Sequence, residues 1–343
     1  MPDAMVDSAI DAPPACTTSN TFGAELVFDI GATGTGFVVA SLDPGGQLDV
    51  AVAVTTEVVI LHGDGTGTVF NNPTKVDTAA GGIAAEDFNQ DGSDDLILWP
   101  LGGTTIVSRL QNAAGTFAAE QALPGPFANV TNAITGGFDP NPDLVVEDDT
   151  SGMRIFFSLL LTPGTFQRSP QVVGGAGDDL VTVRQIDGAN DPDIVMVDQA
   201  GNLKLSLVLN TGPQSPTTIA TGVTGRAAAF GDFGGDARDD LVVATAAGGV
   251  VFTQTGAGTF TQQPGTIPGV VGSTLLVSDI NMDGTDDIVV PGSVVLQCPG
   301  TPGVFTQVES LNSTAPALLV DLDANGKPDL LRLVGTNLIV RLQ

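Results

Sequence analysis

The residues best suited to chemistry are Asp and Asn side chains at alternate positions in short segments that contain glycine. The clearest segment runs from Asp87 to Asp95 in the order Asp-Phe-Asn-Gln-Asp-Gly-Ser-Asp-Asp. Calcium takes about six to eight oxygen ligands in a flexible geometry, and alternate side chains on a tight loop can point inward to supply them. Glycine after the third ligand permits the sharp turn. The spacing therefore predicts a calcium site in this loop.

Four loops carry ligand sets of this kind, and each ends in Asp rather than in the more distant Glu of an EF-hand loop. The predicted ligands are Asp87, Asn89, Asp91, Ser93 (through its carbonyl) and Asp95 in the first loop; Asp232, Asp236 and Asp240 in the second; Asp279, Asn281, Asp283, Thr285 and Asp287 in the third; and Asp321, Asp323, Asn325 and Asp329 in the fourth. Gly234 replaces one ligand of the second loop. The alternative is that these residues only form turns, as Asp and Asn often do.

The loops belong to an internal repeat that runs through most of the chain. Each unit has one Asp that closes its loop, and the closing residues are Asp49, Asp95, Asp143, Asp193, Asp240, Asp287 and Asp329. A Gly-Thr-Phe turn or a variant follows at Gly115, Gly164, Gly258 and Gly303. Short runs rich in Val, Ile and Thr lie between these landmarks and predict four strands in each unit. Four strands in a repeat of this length are typical of a propeller blade.

The two ends of the chain are complementary. The last unit ends after its third strand, whereas Asn20-Thr-Phe22 and the following Ala24–Phe28 segment have the form of a Gly-Thr-Phe turn and a fourth strand. We therefore predict an all-β fold, a seven-bladed β-propeller of four-stranded antiparallel blades, whose ring is closed by the N-terminal strand in the last blade. A solenoid is the alternative, but it does not explain these ends.

The predicted organisation has two parts. Residues 1–20 are acidic and rich in Pro and Ala, lack the basic and apolar regions of a signal peptide, and are expected to form a disordered tether. Residues 21–343 are expected to form one propeller. Its segments are the fourth strand of blade 7 at 21–33 and blades at about 34–81, 82–128, 129–176, 177–223, 224–270, 271–314 and 315–343.

The alternating Asp-x-Asn-x-Asp-Gly-x-x-Asp loops and Gly-Thr-Phe turns resemble the FG-GAP/VCBS repeat proteins, relatives of the integrin α-subunit propeller. The resemblance covers roughly residues 20–343 and implies adhesion or surface recognition. The first, third and fourth units depart from the family pattern because they have lost much of the loop. In those units only Asp187, Asp191 and Asp193 form a weak cluster of candidate ligands.

Single residues suggest few further roles. Cys16 and Cys298 could form a disulfide in an oxidising compartment; the alternatives are two unpaired thiols or a lipid anchor on Cys16. His62, the only histidine, is predicted to be an exposed turn residue. Trp99 is predicted to pack in the core, with sugar stacking as the alternative.

The charge balance limits the classes of function. Asp and Glu number 39 against 11 Lys and Arg, and the formal net charge of −28 disfavours nucleic acid and anionic membrane surfaces as partners. No apolar run reaches the ~18 residues of a membrane span. One His and few basic residues also provide poor means for a polysaccharide lyase.

We therefore expect a non-catalytic, monomeric module that structural calcium ions stabilise and that binds an unidentified protein or glycan on a surface. Extracellular modules bind calcium at about 0.1–1 mM, so we expect it outside the cell, at the cell surface or in the periplasm. The alternatives are a structural surface component without a specific ligand, and a polysaccharide lyase or hydrolase.

Overall fold

The computed structural model describes residues 22–343 except 113, 139–140, 160–161, 163, 170, 190, 210–211, 273 and 312–316. In these ranges the chain forms strands and no helices. Within the described part of the chain, no helix has the length and apolar character that a membrane span requires.

The strands follow the chain in groups of four. Before the first group lies β1, Leu26–Asp29. Blade 1 consists of β2 Gly34–Ala40, β3 Asp49–Val54, β4 Glu57–Gly63 and β5 Phe70–Val76. Blade 2 consists of β6 Gly82–Glu86, β7 Asp95–Trp99, β8 Val107–Arg109 and β9 Gln121–Ala122. Blade 3 consists of β10 Val130–Gly136, β11 Asp143–Asp148, β12 Gly152–Ser158 and β13 Phe166–Arg168.

The remaining strands complete the ring. Blade 4 contains β14 Asp179–Arg184, β15 Asp193–Val197, β16 Asn202–Ser206 and β19 Thr217–Thr221, with the hairpin β17 Val208–Leu209 and β18 Gly212–Pro213 inserted before the last strand. Blade 5 consists of β20 Val223–Gly231, β21 Asp240–Thr245, β22 Gly248–Gly256 and β23 Thr259–Gln262. Blade 6 consists of β24 Leu276–Ser278, β25 Asp287–Val290, β26 Ser293–Gln297 and β27 Phe305–Ser310. Blade 7 begins with β28 Ala317–Val320, β29 Asp329–Val334 and β30 Asn337–Arg341.

The N-terminal strand closes the ring. β1 pairs antiparallel with β30, from Leu26 opposite Val340 to Asp29 opposite Asn337, so blade 7 has the order β1-β30-β29-β28. Next to this pairing, the amide of Gly23 donates a hydrogen bond to the carbonyl of Leu342 over 2.6 Å. The predicted seven-bladed propeller and its closure by the N-terminal strand are therefore confirmed.

The second strand of each blade is buried on both faces because every blade lies between two others. In β3, Val50 and Val52 pack in a cluster with side chains of blade 7, whereas Ala51 and Ala53 pack in a cluster with side chains of blade 2. Successive side chains of a strand point to opposite faces of the sheet. This arrangement explains why these strands read as continuous apolar runs instead of alternating with polar residues.

In blade 2 the glycine of the Gly-Thr-Phe turn lies against the preceding blade. Gly115 of blade 2 has a φ of +75°, and a Cβ atom there would lie 2.8 Å from Cδ of Pro44 in blade 1. Both the left-handed backbone and the close approach therefore require glycine. The aromatic residue of the motif makes a similar contact: the ring of Phe166 in blade 3 meets Phe88 of blade 2 edge-on, with centroids 5.4 Å apart.

Trp99 is buried in the core cluster shared by blades 2 and 3, as the packing interpretation predicted. Its strand partner is Gly82, where a Cβ atom would collide with the indole ring. The absence of a side chain at position 82 makes the room that the indole needs.

Candidate functional site

The predicted metal loops occupy equivalent places in the ring. Each connects the first and second strands of its blade, and the rotational repetition of the blades places all of them on one face of the propeller. The site is therefore a ring of acidic loops rather than one central cavity.

The loop of blade 2 folds around the carboxylate of Asp87. One oxygen of Asp87 accepts a hydrogen bond from the amide of Asp91 over 3.0 Å, and the other accepts one from the amide of Gly92 over 2.8 Å. Asn89 Oδ1 also accepts from the amide of Asp91 over 2.9 Å, and Asp91 Oδ1 accepts from the amide of Ser93 over 3.0 Å. These bonds order the loop, since Asp87, Asn89 and Asp91 each accept from its backbone amides.

Blade 6 repeats this arrangement. Asp279 accepts from the amides of Asp283 and Gly284 over 3.0 and 2.8 Å, and Asn281 Oδ1 accepts from the amide of Asp283 over 3.0 Å. The amide of Thr285 donates to Asp283 over 3.0 Å, as that of Ser93 does to Asp91 in blade 2. Two loops 192 residues apart thus have the same hydrogen-bond pattern.

Blade 7 brings three carboxylates closest together. Asp321, Asp323 and Asp329 each offer an oxygen atom, and these atoms all lie within 4.8 Å of one another. Asp321 also accepts hydrogen bonds from the amides of Asn325 and Gly326, over 3.0 and 2.8 Å. The donor set consists of carboxylate and amide oxygens, which are the ligands that calcium prefers.

Blade 5 has a shorter set. The carboxylate of Asp232 accepts from the amides of Gly235, Asp236 and Ala237, over 2.6, 3.1 and 2.8 Å. Gly234 supplies no side-chain oxygen at the position where blades 2 and 6 have Asn. This loop therefore has the fold of the others with one ligand fewer.

The closing Asp is buried in all seven blades. In blade 2, Asp95 accepts from the amide of Phe88 over 3.1 Å and from the amide of Gln111 over 2.8 Å. In blade 1, which lacks the full ligand set, Asp49 accepts from the amides of Leu42 and Gly63 over 3.0 and 2.9 Å. The closing carboxylate therefore links the loop to the end of the third strand, a structural role that is separate from any metal.

Burial raises the pKa of Asp95 to about 7, and repulsion by Asp91 and Asp87 adds to this effect against the opposing hydrogen bonds from Gln111 and Phe88. Burial likewise raises the pKa of Asp287 in blade 6 to about 7. A bound cation would offset this repulsion between carboxylates.

The weak cluster predicted in blade 4 forms a turn. Asp187 Oδ1 accepts from the amide of Ala189 over 2.7 Å, and Asp193 Oδ2 accepts from the amides of Ile186 and Asp187 over 3.0 and 3.2 Å. The backbone carbonyl of Asp191 accepts a hydrogen bond from Gln185 Nε2 over 3.1 Å. Asp187 therefore acts as a turn former, and Asp193 makes the backbone contacts of a closing Asp.

Sequence reasoning missed the carboxylates that join adjacent blades. Asp94 Oδ2 of blade 2 accepts from the amide of Ser41 in blade 1 over 2.7 Å, and Asp286 Oδ2 of blade 6 accepts from the amide of Asp232 in blade 5 over 2.7 Å. In blade 5, Asp239 pairs with Arg184 of blade 4 through two hydrogen bonds of 2.7 and 2.8 Å. The sequence signal for these contacts between blades was the pair of consecutive Asp residues at the end of each of the three loops.

The prediction that His62 is an exposed turn residue is wrong. His62 lies in β4, 17% of its side chain is exposed, and its Nδ1 atom lies 3.4 Å from Asp43 Oδ2 and 3.4 Å from Asp49 Oδ2. Pairing of β3 with β4 brings the end of β4 beside the loop that connects β2 and β3. His62 and Asp43 are far apart in the sequence, so their contact was not predicted.

Cys298 is buried, with 3% of its surface exposed, and it is not a free thiol. Cys16 and the predicted tether lie outside the described residues. The pairing of Cys16 with Cys298 stays a prediction.

A groove lies between blades 5 and 6, next to the loop of blade 5. It has a volume of 480 Å³, and its lining includes Phe233, Phe305, Pro264, Thr253 and Gln263. Phe233 is buried in the floor and Phe305 is half-buried, with ring centroids 5.8 Å apart. Gln263 Nε2 donates to the hydroxyl of Thr253 over 2.6 Å. The groove thus combines apolar rings with a few polar groups, as small-ligand sites do.

The family comparison agrees with these repeats. A model of the FG-GAP-like repeat matches residues 232–290, from the first Asp of the blade 5 loop to the end of β25 in blade 6. The chain is a seven-bladed propeller that contains an FG-GAP-like repeat. The matched region extends from the loop of blade 5 through the loop of blade 6, and the other blades of the propeller repeat its strand order. No match was found among curated proteins.

Solved structures of low sequence identity share the propeller fold of this chain. The BP39L lectin from Burkholderia pseudomallei has a TM-score of 0.69 at 16% identity, covering 89% of this chain and 93% of its own. An Agrocybe aegerita lectin that recognises non-reducing terminal N-acetylglucosamine has a TM-score of 0.58 at 17% identity, covering 81% of each chain. BBS1N, solved in complex with ARL6DN, has a TM-score of 0.61 at 13% identity, covering 94% of this chain and 96% of its own.

Proposed function

We propose that this FG-GAP propeller is a non-catalytic binding module that calcium stabilises and that works at the cell surface, in the periplasm or outside the cell. The observation that carries the proposal is the repeated loop geometry. Blades 2 and 6 hold their oxygen ligands with the same hydrogen bonds, and blade 7 holds three carboxylates within 4.8 Å.

Calcium would be held mainly in blades 2, 6 and 7. Its ligands would be the sequence-predicted residues of those loops, with the shorter set of blade 5 as a weaker site. The charge of the ion would neutralise carboxylates that otherwise repel one another. At a free calcium concentration about 100 times the dissociation constant, each site adds about 2.7 kcal/mol to the free energy of unfolding.

The proposed location follows from the calcium concentrations at which such modules bind. Calcium modules outside the cell bind at about 0.1–1 mM, whereas cytosolic calcium sensors bind at much lower concentrations. A propeller stabilised in this way would be most stable where calcium is abundant.

The proposed ligand is a glycan or a protein surface, and the groove between blades 5 and 6 is the candidate binding site. Support for a glycan comes from the two lectins that share the fold, one of which recognises N-acetylglucosamine. A sugar has apolar faces and hydroxyl groups, which Phe305 and Gln263 could contact. Calcium in the blade 5 loop would order one wall of the groove, because Phe233 and Gly234 belong to both.

The case against catalysis rests on the chemistry of the clusters. The closing carboxylates accept backbone hydrogen bonds, and the single His and few basic residues offer little for the lyase reaction. Glycoside hydrolysis needs a free pair of carboxylates on either side of a bound sugar. The lining of the groove between blades 5 and 6 contains no carboxylate among the described residues.

A glycan array probed in calcium and in chelator tests the proposal. We expect calcium-dependent binding that Phe305→Ala abolishes. Phe117→Ala is the matched control, since it removes the same aromatic residue of the repeat from blade 2, away from the groove. Loss of binding in both variants would contradict the assignment of the groove. Self-association without binding to any glycan or protein would favour a structural surface component, and turnover of a polysaccharide would show an enzyme.

A further inference from the structure

Blade 1 contains a cluster that differs in chemistry from the calcium loops. Asp43, Asp49 and His62 each offer one ligand atom, and these atoms all lie within 4.8 Å of one another. Nδ1 of His62 lies 3.4 Å from an oxygen of each Asp. We propose that these three side chains form a site for a divalent transition metal ion, with zinc as the simplest candidate.

The loop of blade 1 has exchanged oxygen ligands for a nitrogen ligand. In register with blade 2, Ser41 and Gly45 stand where the first and third ligands Asp87 and Asp91 stand, while Asp43 and Asp49 keep the second and last positions. The imidazole of His62 enters from β4. Calcium prefers a larger set of oxygen atoms, whereas imidazole together with carboxylates suits zinc and its neighbours.

The nitrogen atom that faces the carboxylates is buried. Nδ1 of His62 is inaccessible to solvent and has no hydrogen-bond partner within the described part of the chain. The other ring nitrogen, Nε2, lies 2.8 Å from the hydroxyl of Thr74. When Nε2 donates its proton to Thr74, the lone pair of Nδ1 points toward the two carboxylates. A buried lone pair facing two negative groups is unfavourable without a cation between them.

Both carboxylates are positioned before any ion binds. Asp49 is fully buried, and amides of the loop and of β4 hold its two oxygen atoms, over 3.0 Å from Leu42 and 2.9 Å from Gly63. Asp43 Oδ1 accepts from the amide of Gly45 over 2.7 Å, which leaves Oδ2 facing His62. Three protein ligands with an open fourth position are a common arrangement for zinc.

The competing interpretation is a proton instead of a metal. A protonated imidazole would donate from Nδ1 to the two carboxylates and form an ion pair. The two interpretations differ in what the ring does when zinc is added, because only the metal site requires Nδ1 to lose a proton.

The experiment uses the untagged full chain, stripped with chelator and then kept in millimolar calcium so that the oxygen loops are saturated. Because His62 is the only histidine, ¹⁵N-histidine labelling gives a single imidazole in the NMR spectrum. We expect zinc to bind with a stoichiometry of one and to shift the Nδ1 resonance, while added magnesium leaves it unchanged.

Variants separate this site from the calcium loops. His62→Gln and Asp43→Asn should each weaken zinc binding by at least about tenfold in calorimetry. Asp91→Asn is the matched control: it alters an oxygen loop of blade 2 and should leave the zinc affinity unchanged. Asp43→Asn is the variant less prone to misfolding, because the Asp43 side chain is 30% exposed. Its calcium-dependent melting checks that it is folded.

An imidazole resonance that zinc does not move would overturn the proposal, as would equal zinc affinity in wild type and His62→Gln. A protonated Nδ1 that persists in excess zinc would establish the ion pair in its place.

Discussion

Asp94 of blade 2 accepts a hydrogen bond from the backbone amide of Ser41 in blade 1, and the distance from Oδ2 to N is 2.7 Å. The amide of Asp94 donates in return to the carbonyl of Ser41 over 3.3 Å. Its neighbour Asp95 turns inward and holds the loop of its own blade. The Asp-Asp pair therefore divides two tasks between adjacent residues, contact between blades and closure within a blade.

Removing the contact between blades should destabilise the ring. Asp94→Ala deletes a charged acceptor that is half-buried, and such a bond contributes about 1.5 kcal/mol or more. We expect a lower free energy of unfolding in urea, with calcium present throughout. The exposed residue Asp77, changed to Ala, is the control and should have little effect. Equal stability of the two variants would mean that this bond contributes nothing.

Glycine in the Gly-Thr-Phe turn should be needed for two separable reasons. Gly115→Ala places a side chain in a left-handed conformation, at about 1 kcal/mol, and also against the ring of Pro44. Gly303→Ala has the same backbone cost, with a φ of +76° against +75°, but no atom of the described residues lies within 4 Å of a Cβ built there. Gly115→Ala should therefore lose about 1–3 kcal/mol more than Gly303→Ala. Thermal and urea unfolding of the two variants measures the difference in stability. Equal losses in the two variants would show that the contact with Pro44 does not matter.

The full loops should respond to calcium and the degenerate loops should not. Asp91→Ala removes a ligand from blade 2, so it should reduce the calcium-induced rise in melting temperature. Asp187→Ala, in blade 4, removes only a turn contact and should leave that rise unchanged. Differential scanning calorimetry over a calcium titration provides the comparison. A similar loss in both variants would remove the distinction between the two kinds of loop.

Asp148 should stabilise the protein only above acidic pH. Burial alone would raise its pKa, but hydrogen bonds from the hydroxyl and amide of Thr150 and from the amide of Ala128 outweigh burial and lower the pKa. A lowered pKa stabilises the fold above the unfolded value of about 3.9 and loses this contribution as pH falls through the folded value.

Asp148→Asn should therefore cost stability near neutral pH, and the gap to wild type should narrow as the pH falls below about 4. Urea unfolding across this range measures the gap, with the exposed Asp77→Asn as control. A gap that stays constant with pH would show that charge on Asp148 does not contribute.

The repeat made the fold predictable from the sequence. Seven closing Asp residues at near-equal spacing, together with complementary ends, determined the number of blades and the closure of β1 on β30. The ligand-rich loops were also visible, because alternation of Asp and Asn within a few residues is local information.

Contacts across strands and between blades were not predictable. Asp49 and His62 meet only because β3 pairs with β4, and Asp94 reaches Ser41 only because blades pack face to face. The closing Asp was interpreted from the sequence as a metal ligand. Its burial and its hydrogen bonds from two backbone amides also give it a structural role, even in blades without a full loop. The groove between blades 5 and 6 likewise depends on the packing of two blades.

The most direct test of calcium stabilisation is a thermal melt of the purified chain in millimolar calcium, in the same concentration of magnesium, and in excess chelator. We predict a rise in melting temperature that begins near millimolar calcium, continues to grow with calcium concentration and is not reproduced by magnesium. Identical melting temperatures in calcium and chelator would contradict the account, and the acidic loops would then be turns that hold no calcium.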